Sequence, residues 1–370
     1  MSDTKGLKLL STLNDDGRLT VELVEETLHA PQGAQVLVRI EAAPINPSDL
    51  GLLFGPAAVD EADYAPRRIV AQMPDAAMKA MAARIGQAMG VGNEAAGTVI
   101  AAGDDKAAQA LLGKRVAMIG GDMYAQFRLI DASACMALPD DVTAEEGASA
   151  FVNPMTALGF VETARAGGHT AIVHTAAASN LGQMLVKVTQ ADGIGLVNIV
   201  RSEEQANLLR GIGAEHVVNS RDEDFGAQLE AAIAATGATV AFDAIGGGTL
   251  VSQILHAMEK VASRDAPYSR YGSNTPKNAY IYGALDTGPT ILTRSFGFQW
   301  DVSGWLLFPA LQKAGPQTVE RMRQRVRDNL KTLFASQYKA RLSLEEALGR
   351  EAVTAYNARR TGEKYLIVPN

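Results

Sequence analysis

The chain has 370 residues, beyond the roughly 250–300 at which single hydrophobic cores stop growing, so two domains are expected. Lys plus Arg number 34 and Asp plus Glu 41, a net charge of −7 that excludes a global attraction to nucleic acid or to an anionic membrane. One cysteine, Cys135, excludes a disulfide framework within the chain and a cysteine-rich zinc site. Cys135 has no evident activating partner and reads as packing. The opening MSDTKGLKLL lacks the apolar run and small-residue cleavage site of a signal peptide, and no stretch reaches the ~18 apolar residues of a membrane span. The expectation is a cytoplasmic protein with no nucleic-acid or membrane partner.

Up to about residue 150 the chain reads as β-rich. TVELVEE, AQVLVRIEAAPI, GTVIAAG and KRVAMIG are short β-branched runs separated by Gly, Pro and Asp. The segment from about 57 to 90 reads as a helical insertion. Pro74 and Asp75 mark a helix start, and Met78, Met81, Ala82 and Ile85 fall at helical spacing. Such a helix either covers part of the core or forms a lid over a substrate cleft. From about residue 150, strand-like runs alternate with helical ones: TAIVHTA and LGQMLVKVTQ, GLVNIV and EEQANLLRGI, HVVN and FGAQLEAAIAAT, ATVAFDAIG and TLVSQILHAME, then NAYIYGAL. This alternation predicts right-handed βαβ units and a parallel sheet. The tail from about Leu333 ends in YLIVP, a strand able to return to the first domain.

The first strand-to-helix turn is HTAAASNLGQM. Its small residues let a pyrophosphate approach the backbone, and the following helix start offers unpaired N–H groups and partial positive charge. No G-x-G-x-x-G is present; Ala176, Ser179 and Gly182 hold the corresponding small positions, with Asn180 and Leu181 opening the helix. The second strand ends in Arg201 and Ser202, where an NAD site normally places Asp or Glu for the ribose hydroxyls. A guanidinium suits a 2′-phosphate, so the cofactor expected is NADPH. The bland alternatives are tight αβ packing for the turn and a solvated surface arginine.

INPSDL, GNEAAG, NPMTAL, HTAAASNLG, GAEHVVN and FDAIGGG follow one another along nearly the whole chain. In that order and spacing they resemble the medium-chain dehydrogenase/reductase superfamily, most closely its zinc-free quinone oxidoreductase and 2-enoyl thioester reductase branch. The resemblance implies an α/β chain with a GroES-like, partly open β-barrel catalytic domain (1–150 and 335–370). It also implies a Rossmann doubly wound parallel-sheet domain (151–334), with the active site in the cleft between them. Zinc-using relatives place Cys where this chain has Asn46 and His where it has Asn93. Asparagine is a poor zinc ligand, so no metal is expected.

The chemistry expected is hydride addition to an activated C=C bond of an apolar small molecule, an enoyl thioester or enone. NADPH:quinone reduction is the nearest rival, and an NADPH-binding sensor or structural protein is a reading of another class. By resemblance Asn46 lines the nicotinamide end, Asn153 and Thr156 contact the cofactor, and Gly283, Ala284 and Leu285 lie near the nicotinamide. Turn or cap chemistry accounts equally for the two asparagines. Thioester reductases of this branch use a tyrosine after the NPSD motif as proton donor. Tyr64 is the tyrosine available in that loop, although the insertion departs from the family pattern. Tyr124 reads as barrel packing, His174 as a packed strand histidine, and Glu94 as buried and hydrogen-bonded. Arg67 and Arg68 are either a phosphate patch or solvated surface. Trp300 and Trp305, in GFQWDVSGWL, line a substrate slot, form an interface or are simply buried. Relatives commonly dimerise by joining Rossmann sheets edge to edge, so a homodimer is expected.

Overall fold

The structure is a computed structural model that describes residues 3–370. It divides into two compact units. One comprises the residues up to Val152 together with Val326–Asn370; the other is Asn153–Arg325.

The first unit is built on two sheets. In the strand Gln35–Ile45, Val36, Leu37, Val38 and Ile40 are buried while Gln35 and Arg39 are exposed, and from Ala42 on every residue is buried, so the strand is covered on both faces along much of its length. That strand is the hub of a seven-stranded sheet. It pairs antiparallel with Glu94–Ala102, Phe127–Asp131 and the C-terminal Tyr365–Ile367. Gly97 is required here: a Cβ on it would fall 2.1 Å from the Arg39 carbonyl oxygen. The second sheet has five strands, centred on the hairpin of Thr4–Leu13 and Arg18–Leu28. Side chains of both sheets meet in one core that includes Leu9, Leu13, Val38, Ile40, Val99 and Met118. This is the β-barrel-type half of the fold.

The segment 57–90 departs from the helical expectation. Only Asp75–Ala80 is α-helical, with two 3-10 turns, Val59–Glu61 and Ala82–Arg84. Asp63–Ala65 and Arg68–Gln72 are strands that extend the five-stranded sheet beside Arg18–Leu28, and Ala88–Gly90 closes its other edge. The backbone groups at both ends of the segment are therefore spent on strand partners. Met78, Met81 and Ile85 do pack on the core, as their spacing suggested, but Ala82 is exposed.

The second unit carries a six-stranded, wholly parallel sheet. Its order is His216–Asn219, Gly195–Val200, Ala171–His174, Val240–Asp243, Lys277–Ile281 and Trp300–Gly304. Numbered along the chain this is 3-2-1-4-5-6, the order of a Rossmann sheet, whose strand sequence reverses between its first and fourth strands. The helices Asn180–Asp192, Glu203–Gly211, Phe225–Thr236 and Leu250–Ser263 follow the first four strands. The segment GFQWDVSGWL supplies a sixth strand that its sequence did not suggest, and of the roles expected for its tryptophans the structure shows burial for Trp305. Trp300–Gly304 is an edge strand, with Trp300 packed edge-on against Phe296 at 5.0 Å. Trp305 is buried within the same unit, edge-on to Phe160 at 4.7 Å, and its indole N–H donates to Thr163 Oγ1 at 3.1 Å. Among the described residues no helix is long and apolar enough to cross a membrane.

Candidate active-site elements

The first strand of the parallel sheet is buried throughout and ends at His174. Thr175 then donates to Asp243 Oδ1 at 2.6 Å and accepts the N–H of Ala244 at 2.8 Å, tying the first strand end to the fourth at the point of reversal. Ala176 turns with φ +49°, a left-handed conformation that costs a non-glycine residue about 1–2 kcal/mol. Ser179 caps the helix, its hydroxyl oxygen accepting the Gly182 N–H at 3.1 Å. Gly182 cannot be larger: a Cβ would lie 2.0 Å from the Ala177 carbonyl oxygen. The N–H groups of Ala178 and Leu181 have no protein acceptor among the described residues. A turn of small residues with unspent N–H groups at a 13-residue helix fits a bound pyrophosphate.

The N–H of Ala177 donates to Ile199 O at 3.1 Å, which brings the end of the second strand against this turn. Arg201 follows two residues later. It is exposed, and its guanidinium has no ion-pair or hydrogen-bond partner among the described residues. Ser202 is partly committed, because its hydroxyl oxygen caps the next helix by accepting the Gln205 N–H at 3.3 Å. Gly283 comes after the fifth strand, where a Cβ would approach the Ala244 carbonyl oxygen to 2.6 Å. Ala284 follows, and Leu285 is 48% exposed. Asn153 and Thr156 lie in the helix Val152–Ala166, Asn153 partly buried and Thr156 buried. His174 is not an acid–base group. It is fully buried, its Nε2 is 2.8 Å from Tyr282 Oη, and burial drives its pKa down to about 3.

In the first unit, two buried carboxylates brace the NPSD and GNEAAG segments. Asp49 Oδ2 accepts the Asn46 N–H at 2.7 Å, and its Oδ1 accepts the Asn93 N–H at 2.8 Å. Burial raises its pKa to about 7, against the pull of those two hydrogen bonds. Glu94 Oε1 accepts from Asn46 Nδ2 at 2.9 Å, while Oε2 accepts the N–H groups of Phe151 and Val152 at 2.9 and 2.8 Å. Its pKa is also raised by burial, and the Lys364 charge opposes the rise. The Lys364 amine is pushed down to about 8 by desolvation; it donates to Ser149 Oγ at 2.6 Å. Ser149 in turn lies 2.9 Å from Tyr338 Oη. None of Asp49, Ser149, Tyr338 or Lys364 stood out in the sequence. A buried carboxylate or lysine looks like a surface one until its partners are known.

The structure assembles the expected site residues unevenly. Ala176, Ser179, Asn180, Leu181, Gly182, Arg201 and Ser202 gather around one turn. Asn46 is only 1% exposed, and its Oδ1 is buried without a hydrogen-bond partner among the described residues, so it organises its surroundings and offers no accessible amide. Tyr64 is engaged elsewhere. Its hydroxyl donates to Val59 O at 3.0 Å, and the Arg350 guanidinium lies 4.3 Å over its ring. Arg67 pairs with Glu345 at 2.6 Å, which removes it from a free phosphate patch; Arg68 is an exposed strand residue. Tyr124 is core, with its hydroxyl donating to Pro44 O at 3.1 Å. Among the described residues no group of three or more His, Cys, Asp or Glu side chains is disposed to hold a metal ion.

Comparison with known proteins agrees with the fold. A family model described as zinc-binding dehydrogenase matches residues 180–262, which lie in the parallel-sheet unit and away from Asn46 and Asn93. The mitochondrial enoyl-[acyl-carrier-protein] reductase of Bos taurus is 28% identical over 214 residues, 56% of this chain and 51% of its own length. A Leishmania amazonensis protein named "Probable quinone oxidoreductase" is 28% identical over 261 residues, 69% of this chain and 67% of its own. The chain thus spans about half the length of the curated enoyl reductases that it matches. A crystal structure from Mesorhizobium loti, assigned as an NADPH:quinone reductase, superposes with a TM-score of 0.75 at 26% identity, covering 100% of both chains.

Proposed function

We propose, from the premise that the chain belongs to the medium-chain dehydrogenase/reductase superfamily in its zinc-free branch, that it is an NADPH-dependent oxidoreductase acting on a C=C bond conjugated to a carbonyl. The observation that carries the cofactor assignment is Arg201, an unpaired guanidinium beside the first turn of a 3-2-1-4-5-6 sheet. In this reading Ala176–Gly182 cradle the pyrophosphate, and Arg201 with Ser202 hold the 2′-phosphate. Asn153, Thr156 and Gly283–Leu285 serve the nicotinamide end. NADPH supplies the hydride when bound; the protein's task is to orient it, exclude water and stabilise developing charge. Tyr64 receives no proton-transfer role, because its hydroxyl is spent on Val59.

Similarity to the Bos taurus enoyl reductase supports an enoyl thioester or enone as substrate. Similarity to the Leishmania and Mesorhizobium proteins supports quinone reduction as the second reading. Both need an apolar acceptor bearing a carbonyl oxygen. Arg201→Ala tests the cofactor half. Loss of one charge-assisted contact, worth about 1.5–3 kcal/mol, weakens NADPH binding roughly 10- to 100-fold and leaves NADH binding nearly unchanged. Equal affinity of the parent protein for the two cofactors refutes the assignment. An NADPH-binding sensor or structural protein is separated from an enzyme by turnover alone.

A further inference from the structure

Three polar side chains of the parallel-sheet unit each lie next to one of the segments proposed to hold the cofactor. His174, fully buried, ends the first strand and precedes the turn that carries Ala176–Gly182. Asn198, also buried, lies in the second strand one residue before Ile199, whose carbonyl accepts the Ala177 N–H at 3.1 Å. Tyr282 follows the fifth strand and precedes Gly283; its N–H donates to Asp243 O at 2.9 Å. The three share one face of the sheet. His174 is in register with Asn198 on one side and Phe242 on the other, Phe242 is in register with Tyr280, and Tyr282 lies two residues beyond Tyr280. The His174 and Tyr282 rings stack, 5.9 Å apart and 13° from parallel.

Their hydrogen bonds leave a matched remainder. Asn198 Nδ2 lies 3.2 Å from His216 O and 3.5 Å from Leu196 O, two carbonyls that fix the orientation of the amide and leave Oδ1 as a buried acceptor without a partner among the described residues. His174 Nε2 is 2.8 Å from Tyr282 Oη, and its Nδ1 is likewise buried without a partner among the described residues. Burial keeps the imidazole neutral and pushes the Tyr282 phenol up, so one ring nitrogen carries a hydrogen and the phenol keeps its own. With the ring hydrogen on Nε2, that N–H donates to Tyr282, and three groups go unpaired: the phenol hydrogen, Nδ1 and Asn198 Oδ1. With the hydrogen on Nδ1, Tyr282 donates to Nε2, and the Nδ1–H has Asn198 Oδ1 as the acceptor in register beside it. Unpaired buried polar groups are costly, so the second tautomer is the stable one.

We propose that Asn198, His174 and Tyr282 act as one positioning network for the cofactor site, with His174 held as the Nδ1–H tautomer. This rests on the NADPH reading above and adds to it the side chains that hold its segments in place. The link runs from Tyr282 Oη–H to His174 Nε2 and from His174 Nδ1–H to Asn198 Oδ1, directly or through one bound water. It joins the ends of the second, first and fifth strands, and so the neighbourhood of Arg201, the turn Ala176–Gly182 and the segment Gly283–Leu285. Apolar side chains of the same size would fill this layer without fixing the direction of any ring or amide. A network of this kind shifts as a unit, so removing one member releases the others. The role is positional: His174 keeps its proton throughout.

Two measurements on the full chain test this. In protein labelled with nitrogen-15 histidine, two-bond nitrogen–proton spectra identify each tautomer, and the signal missing from His174→Phe assigns His174 among the five histidines. The expected result is a neutral ring protonated on Nδ1 and unchanged from about pH 8 to about pH 5. A ring protonated on Nε2 overturns the network whatever the cofactor does. The second measurement is a double-mutant cycle on NADPH affinity, read by fluorescence, with Asn198→Leu and Tyr282→Phe. Each should weaken NADPH binding roughly 3- to 10-fold, and the double variant should lose less than the product of the two. Two strands lie between these residues, so coupling between them points to His174. In a His174→Phe background neither change should exceed about twofold. Thermal melting shows which variants are folded, and where one is not, the tautomer of the parent decides. Losses that simply multiply, or variants that bind NADPH as the parent does, overturn the proposal and leave the NADPH reading standing. A parent that does not bind NADPH overturns that reading and the positional role with it.

Discussion

His174 and Arg201 bracket what a single residue does in this protein. Burial holds the imidazole of His174 down to about 3, while in the unfolded chain it titrates near 6.5. Between those values the unfolded chain binds a proton that the folded protein refuses, so this residue makes stability fall as pH drops from about 6.5 toward 3. His174→Phe should flatten that slope, read as a smaller loss of Tm between about pH 7 and about pH 4 than the parent shows. An unchanged slope would contradict the buried neutral imidazole. The comparison isolates His174, because Asp49, raised to about 7, titrates in both proteins. Arg201 stands out in the sequence as a cation where a strand ends and a helix begins, and the structure shows it exposed at that junction. Asn46 and Tyr64 were legible only as residue types. Their side chains turn to Glu94, 48 residues away, and to the backbone carbonyl of Val59, which only the local turn brings within reach of Tyr64.

At the scale of elements, the turn Ala176–Gly182 sets the tolerance of the proposed cofactor site. Gly182→Ala would push a Cβ to within 2.0 Å of the Ala177 carbonyl oxygen. The expected outcome is a destabilisation of about 1–3 kcal/mol, visible in urea unfolding, with loss of NADPH affinity as the turn shifts. Parent-like stability and affinity would show that the helix start has room to spare. Tyr64→Phe removes one half-buried hydrogen bond and should cost about 1 kcal/mol while leaving hydride transfer intact. A selective loss of turnover in that variant would return Tyr64 to the chemistry. The βαβ half was readable because buried strands such as Ala171–His174 and helices such as Asn180–Asp192 carry different periods. Trp300–Gly304 was not, because Asp301 and Gly304 of this edge strand are exposed and break any apolar run. In 57–90 the helical spacing was real for Met78 and Met81, but the flanking backbone pairs with Arg18–Leu28 and Thr4–Leu13, and tertiary pairing overrides local propensity.

At the scale of the molecule, each unit closes its own core, and the edge strand Trp300–Gly304 ends the parallel sheet with its outer backbone groups unpaired. Leu306 and Phe308 follow it at 69% and 61% exposed. An open edge beside exposed apolar side chains favours pairing with a second copy, so light scattering should give twice the chain mass, and Val302→Lys should shift it toward one. A parent of single mass at micromolar concentration would remove the homodimer from the account. The central claim concerns chemistry, and one measurement reaches it most directly. NADPH absorbance is followed while the purified chain meets a panel of enoyl thioesters, enones and quinones. The account predicts NADPH oxidation with at least one conjugated acceptor, faster than with NADH and unaffected by a metal chelator. Tight NADPH binding with no oxidation by any acceptor would contradict it.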